Sequence, residues 1–228
     1  MNRFGSMGKE TVLLGVTGTI AAGKSTVTRL LRQQGIPCFD ADRSGHDALE
    51  LPEVKRSLWR IFGAGIFQGL LFNSADSPVL NLPPIDRKRL AKAVFASSDP
   101  EQSRKRLEEV VHPVILSEFH RFFQAQEQSG LPSVVLDAPL LFETGWNQLC
   151  DVVLCVDADE KIREARAMNR LWSREEFLRR QSSQWPAERK RRAADVILEN
   201  NGSLEELARA LEHVLKWIGT RGGMIPEN

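Results

Sequence analysis

Lys24 and Ser25 close an eight-residue run, Gly18-Thr19-Ile20-Ala21-Ala22-Gly23-Lys24-Ser25, whose spacing suits the holding of phosphates. Four variable residues between the glycines let the backbone curl until successive N–H groups point inward at phosphate oxygens. Gly23 lets the chain pass close to them. Lys24 brings a point charge to β- and γ-phosphates, and Ser25 can ligate Mg²⁺. The context fits a P-loop. An apolar, β-branched run, Thr11–Thr17, precedes it, and a helical stretch over 24–34, stopped by Gly35, follows. That helix would add the positive end of its dipole. The candidates for binding ATP here are Gly18, Ala21, Ala22, Gly23, Lys24, Ser25 and Thr26. If position 21 takes φ > 0, alanine is strained there by about 1 kcal/mol or more.

Carboxylates supply the next chemistry. Asp40-Ala41-Asp42 follows a second short strand, Ile36–Phe39. Open α/β sheets bind ligands at such strand ends. Asp42 could take a proton from an attacking hydroxyl, or it could cap a helix. Asp137 ends the strand Ser133–Asp137, resembles a Walker B carboxylate, and could hold Mg²⁺ through water. A second Asp-Ala-Asp, 157–159, is read as a helix cap. Asn200, after the fifth strand, could contact adenine or could simply sit in the Asn-Asn-Gly turn.

Elements must position these groups. Further strands are expected at Asp151–Val156 and Ala194–Leu198. All are continuous apolar runs, the pattern of parallel strands buried on both faces. Helical segments separate them, which predicts βαβ topology. Two stretches stand outside that alternation. Residues 49–130 hold helical patterns, Arg87–Phe95 and Gln102–Gln126, around a Pro/Ser/Asn-rich loop at 73–84. Pro113 implies a helix start or a kink. Residues 161–192 carry eleven basic residues against four acidic ones. The organisation expected is a nucleotide-binding core (9–48, 131–160 and 193–228), a helical insertion (49–130) and an arginine-rich lid (161–192).

Bulk properties narrow the classes. The 228 residues contain 31 Lys and Arg against 30 Asp and Glu, which argues against nucleic acid as the main partner. No apolar run reaches the roughly 20 residues that cross a bilayer. Cys38, Cys150 and Cys155 lack metal-ligand spacing and read as free thiols, which fits a cytoplasmic setting. No N-K-x-D signature of a GTPase is present; the D-x-x-G match at Asp42–Gly45 is short and frequent. Nothing in the residues sets an oligomeric state, and a monomer is the default expectation.

The motif order is more specific than any single match. TGTIAAGKST at 17–26 is followed by DAD at 40–42, IDRKRLAKAVF at 85–95 and LEEVVHPVI at 107–115. DAPLLFE at 137–143 and QWPAERKRRAADVILENNGSLEEL at 184–207 complete the set. In these motifs, from about Val12 to Leu207, the chain resembles the dephospho-CoA kinases. Thr19, Ala21 and Ala22 depart from the usual TGGIGSGKST of that family. The resemblance implies a three-layer P-loop α/β fold with a helical acceptor-binding insertion and a lid. It implies Mg²⁺-ATP as phosphoryl donor and dephospho-CoA as acceptor. It makes Asp42 the general base, with Lys24 and the lid arginine Arg170 stabilising the moving phosphoryl group; Arg166 and Arg174 are the fallbacks for Arg170. It also implies His112, Leu141 and Glu143 as acceptor-site residues beside Asp42, with His46 a lesser candidate. For Leu140 and Phe142 a place in the core is expected instead. A nucleoside-type kinase and an ATP-binding module without turnover remain the alternatives.

Overall fold

Five short apolar segments pair into one parallel sheet. The computed structural model of the chain describes residues 11–69 and 82–219. In it, β1 (Val12–Gly18), β2 (Cys38–Asp40), β3 (Ser133–Asp137), β4 (Val152–Asp157) and β5 (Val196–Glu199) lie in the order β2-β3-β1-β4-β5. Every ladder is parallel. Strands β1, β3 and β4 are buried almost throughout, as continuous apolar runs require. β2 begins two residues later than the expected Ile36–Phe39. Pro37 has no N–H to give the ladder, and it serves only through its carbonyl, which accepts from Val135 N.

The chain divides into two compact units, Met1–Asp40 with Phe123–Asn228, and Ala41–Phe122. In the first, α1 (Lys24–Gln33) and α9 (Leu204–Gly219) cover the sheet. Val27 and Leu31 of α1, with Leu207, Leu211 and Val214 of α9, pack on Leu14, Val16, Leu154 and Val156. After β4 the chain makes α6 (Glu160–Met168), α7 (Arg174–Ser182) and α8 (Ala187–Ala193), the expected lid segment. Turn Ala167–Trp172 closes α6: Leu171 N bonds Met168 O (2.8 Å) and Trp172 N bonds Ala167 O (3.2 Å), with Leu171 at φ 62. This is a Schellman pattern with leucine where glycine is usual.

The second unit holds α2 (Ala41–Ala48), α3 (Pro52–Phe62), α4 (Arg87–Phe95) and most of α5 (Pro100–Gln128). The insertion was expected to begin at 49; the unit begins at Ala41, because the chain turns into α2 directly after β2. Asp86 caps α4, accepting from Lys88 N and Arg89 N. α5 runs through Pro113 as one element, so this proline is not a helix start. Val111, Ile115 and Phe119, one turn apart along it, are buried and hold the helix on either side. Most of the 73–84 loop lies outside the described residues. No helix among the described residues is long and apolar enough to cross a membrane.

Candidate active site

The phosphate loop joins β1 to α1. Thr19 N bonds Val156 O of β4 (3.1 Å), and Ala22 N returns to Thr19 O (3.1 Å). Gly23 then takes φ 103. A Cβ at Gly23 would lie 2.2 Å from the Asn200 amide nitrogen, so both conformation and contact require glycine. The first turn of α1 contains no acidic residue. Helix N-termini leave amides without an intrahelical acceptor, and here nothing anionic in the first turn competes with a phosphate. Ser25 is exposed on that turn and Thr26 is half-buried.

Ala21 has φ 61, in the left-handed region. Its methyl is buried with Ala167 and Phe177, flanked by Ile20 and Trp172. The departure from glycine is therefore strained at the backbone and packed at the side chain. Thr19 also has a role glycine could not fill, since its hydroxyl donates to Asp157 Oδ1 at 2.6 Å.

Lys24 Nζ donates to Asp137 Oδ1 at the end of β3. Asp137 is buried, and burial pushes its carboxyl above the usual range while Lys24 pulls it back. Asp40 stands opposite Asp137 in the ladder. Asp42 follows along the chain, exposed, in the first turn of α2. Within its unit, α2 rests on α5: Ser44 Oγ donates to Glu118 Oε2 (2.5 Å), and a Cβ on Gly45 would be 3.3 Å from Ile115 Cδ1. His112, half-buried on α5, has its pKa lowered by burial, with Glu108 opposing.

The arginines divide. Arg166 Nη1 donates to Ala22 O (3.1 Å) and its Nη2 to Asn200 O (2.9 Å). Arg170 is exposed and stands over the Trp172 ring at 5.8 Å. Arg174 is paired with Glu164 (2.8 Å) on the surface. Of these three arginines, Arg166 is the one bonded to the loop. Asn200 is buried, and its side-chain amide donates to Ala22 O at 2.7 Å. That amide holds the loop, a role outside the two readings, adenine contact or Asn-Asn-Gly turn, that the residues offered.

In the DAPLLFE stretch one expected acceptor residue lies in the core. Leu141 is 0 % exposed, and a Cβ at Gly15 would meet it at 2.8 Å, so it is core under β1. Its neighbour Leu140, expected in the core, is 38 % exposed. Phe142 is core as expected, stacked on Trp185 at 5.6 Å. Glu143 Oε1 accepts from Trp185 N (2.7 Å) and lies 3.3 Å from Lys190 Nζ. Glu143 is thus the counter-ion of a fully buried lysine. Lys190 also donates to Pro139 O (2.7 Å), Gln184 Oε1 (2.8 Å) and, at 3.4 Å, Gly18 O. It ties the start of the phosphate loop to the turn after Asp137. Burial lowers its pKa, and Glu143 opposes that shift.

The second Asp-Ala-Asp, expected as a helix cap, divides its roles, and Asp157 is not the capping residue. It holds Thr19 and Arg191, with Arg163 Nε at 4.0 Å. Asp159 takes the N-cap position of α6 without a side-chain cap bond. Sequence reasoning also treated Lys190, Arg163 and Arg191 as lid charge. Their only signal was position beside strand ends, where a long cation can turn inward. Cys38 and Cys155 are free thiols pushed up to about 11 and about 12 by burial. No group of three or more potential metal-ligating residues occurs among the described residues.

With this geometry in view, comparison with known proteins decides the family. The family model described as dephospho-CoA kinase matches residues 12–206. The chain belongs to the dephospho-CoA kinase family. It is 41 % identical over 226 residues to a dephospho-CoA kinase of Thermus thermophilus, covering 96 % of this chain and 99 % of that protein. It is 37 % identical over 208 residues to that of Geobacillus kaustophilus, covering 90 % and 96 %. A crystal structure of a Thermus thermophilus protein superposes with TM-score 0.73 at 39 % identity, covering 94 % of this chain and 100 % of that one. The dephospho-CoA kinase of Campylobacter jejuni gives TM-score 0.58 at 25 % identity, covering 92 % and 98 %. The parallel sheet with its helices and phosphate loop is the α/β fold of these kinases.

Proposed function

We propose that this chain transfers the γ-phosphoryl group of ATP to the ribose 3′-hydroxyl of dephospho-CoA, giving CoA and ADP. The observation that carries the reading is the loop between β1 and α1, with Lys24 held at the end of β3 by Asp137. Family membership names the acceptor.

Phosphates of ATP rest on the amides of residues 18–26, and Lys24 exchanges Asp137 for β- and γ-phosphate oxygens. Arg170 reaches the transferring group when the lid closes, while Arg166 keeps Ala22 in place. Asp42 orients the ribose hydroxyl and takes its proton; its exposure leaves it open to substrate. His112 assists on the acceptor side. The Ser25 hydroxyl and Asp137 carboxylate are hard oxygen donors that suit Mg²⁺, which binds through few protein ligands when phosphates and water supply the rest. Bound there, Mg²⁺ would neutralise charge on the β- and γ-phosphates. Free thiols and the substrates support a cytoplasmic setting.

Coupled detection of ADP tests this directly. The protein is incubated with ATP and Mg²⁺, and separately with dephospho-CoA, nucleosides or no acceptor. ADP formed only with dephospho-CoA is the expected result. ADP formed with a nucleoside instead, or ATP binding without turnover on any acceptor, would reject it.

A further inference from the structure

The phosphate loop has one side-chain handle. Between Gly18 and Gly23 the residues are Thr19, Ile20, Ala21 and Ala22, and only Thr19 carries a polar group. Everything else that fixes the loop must act on its backbone or on apolar surface. The Thr19 handle is held by Asp157, at the end of β4.

Asp157 is placed to act on the loop twice. Its Oδ1 accepts the Thr19 hydroxyl at 2.6 Å. Its backbone carbonyl accepts Asn200 N at 2.8 Å, and the Asn200 side chain donates to Ala22 O at 2.7 Å. These two holds bracket Ile20 and Ala21, the stretch in which the backbone goes to φ 61. The carboxylate is in turn gripped by both ends of the arginine-rich segment. Arg191 of α8 donates to Oδ2 at 2.8 Å and to Glu199 at 2.8 Å. Arg163 of α6 lies 4.0 Å from Oδ1 and donates to Ala158 O (2.8 Å) and Gln181 Oε1 (3.0 Å). A small cavity beside them is lined by Thr19 and Ile20 of the loop and by Arg163, Gln181, Gln184 and Trp185.

The side chain of Asp157 is only 8 % exposed, and its two oxygens are taken by Thr19 and Arg191. Charge-assisted hydrogen bonds with fixed partners are the strong, orienting kind. A ligand whose oxygens are met by backbone amides needs those amides aimed before it arrives. We propose that Asp157 is a positioning residue for phosphoryl transfer, setting the first turn of the phosphate loop through Thr19 and Asn200. The proposal rests on the kinase reading above. It gives two of the eleven basic residues of the 161–192 segment a task other than meeting phosphate.

Thr19→Val removes the hydroxyl at nearly constant volume, and Thr19→Ser keeps it. ATP binding is measured by titration calorimetry without acceptor. Then kcat and KM for each substrate are measured at saturating levels of the other. Thr19→Val should weaken ATP binding and lower kcat/KM for ATP by about tenfold, as loss of one bond to a charged group does. Thr19→Ser should stay within about twofold of the parent, and KM for dephospho-CoA should not move in either. Asp157→Asn should match Thr19→Val or exceed it; if it fails to fold, the threonine pair decides. Parental behaviour of Thr19→Val, or equal damage from Thr19→Ser, would overturn the proposal. Because ATP binding is read without acceptor, a chain that showed the threonine effect yet ignored dephospho-CoA would refute the acceptor assignment and leave this one standing.

Discussion

Arg166 donates a hydrogen bond of 3.1 Å to the carbonyl of Ala22, the residue that leads into Gly23 and Lys24. Arg170, four residues on, instead stands over Trp172 in solvent. Two arginines four residues apart, one in α6 and one in the turn that closes it, should therefore fail differently. Arg166→Ala loses two bonds to buried carbonyls and should cost about 1–3 kcal/mol of stability while raising KM for ATP. Arg170→Lys should leave stability and KM for ATP near parental and lower kcat by about 10²–10³. Steady-state kinetics with urea unfolding on both variants separates the roles. Identical profiles would merge them.

Asp42→Asn should lower kcat by about 10²–10⁴ at saturating substrates, the usual worth of a general base. The residue is exposed in the first turn of α2, where its charge also favours the helix dipole. That dipole term is worth about 0.3–1 kcal/mol, which bounds the loss of stability. A kcat unchanged in single-turnover measurements would remove Asp42 from the chemistry.

How far the residues alone revealed this depends on what each kind of element leaves in the chain. β3 and α4 appear with the ends their patterns give, because Ser133–Asp137 is bounded by Pro132 and Pro139 and Asp86 is a strong cap. α2 leaves no such mark. Its sequence, ADRSGHDA, offers only two small apolar residues and carries a glycine among polar ones, and contacts with α5 hold it as a helix. Near the phosphate loop, the places of Lys24 and Ser25 at the start of α1 and of Asp137 at the end of β3 were legible. Lys190 was not, because a basic run looks the same whether its members face water or turn inward to carbonyls. Leu140 and Leu141 could not be told apart either: adjacent apolar residues after a strand give no sign of which is the buried one.

Asp157 makes stability depend on acid. Burial works against its charged form, but bonds from Thr19 and Arg191 outweigh it, and its pKa falls below the ordinary 3.8. With the folded value below the unfolded one, the unfolded chain takes up the proton first as pH falls. The contribution is thus whole above the unfolded pKa and is lost as pH drops through the folded one. Asp157→Asn should be less stable than the parent by about 2–3 kcal/mol at neutral pH. The gap should hold above about pH 4 and narrow as pH falls further, and urea titrations across that acid range would show it. A constant gap would mean that packing, not charge, is what the substitution removes.

Ala21 sets two small terms against each other. At φ 61 its backbone carries about 1–2 kcal/mol of strain that glycine would not feel. Its methyl, buried against Ala167 and Phe177, returns about 0.8 kcal/mol, and a glycine would add about 0.4–1 kcal/mol of unfolded-chain entropy. The terms nearly cancel, so Ala21→Gly should change stability by less than about 1 kcal/mol. Local behaviour should change more. Without the methyl, the contact between the loop and helices α6 and α7 loosens, and amide exchange in those helices should quicken with little change in global unfolding. Ala21→Val gives the opposite result. A β-branched side chain tolerates the left-handed region poorly and adds bulk beside Phe177, so a loss of about 1–3 kcal/mol or more is expected. Urea unfolding of the two variants, with exchange measured on Ala21→Gly, decides the matter. If valine is accepted as readily as glycine, position 21 is not left-handed in solution, and the loop must reach phosphate by another path.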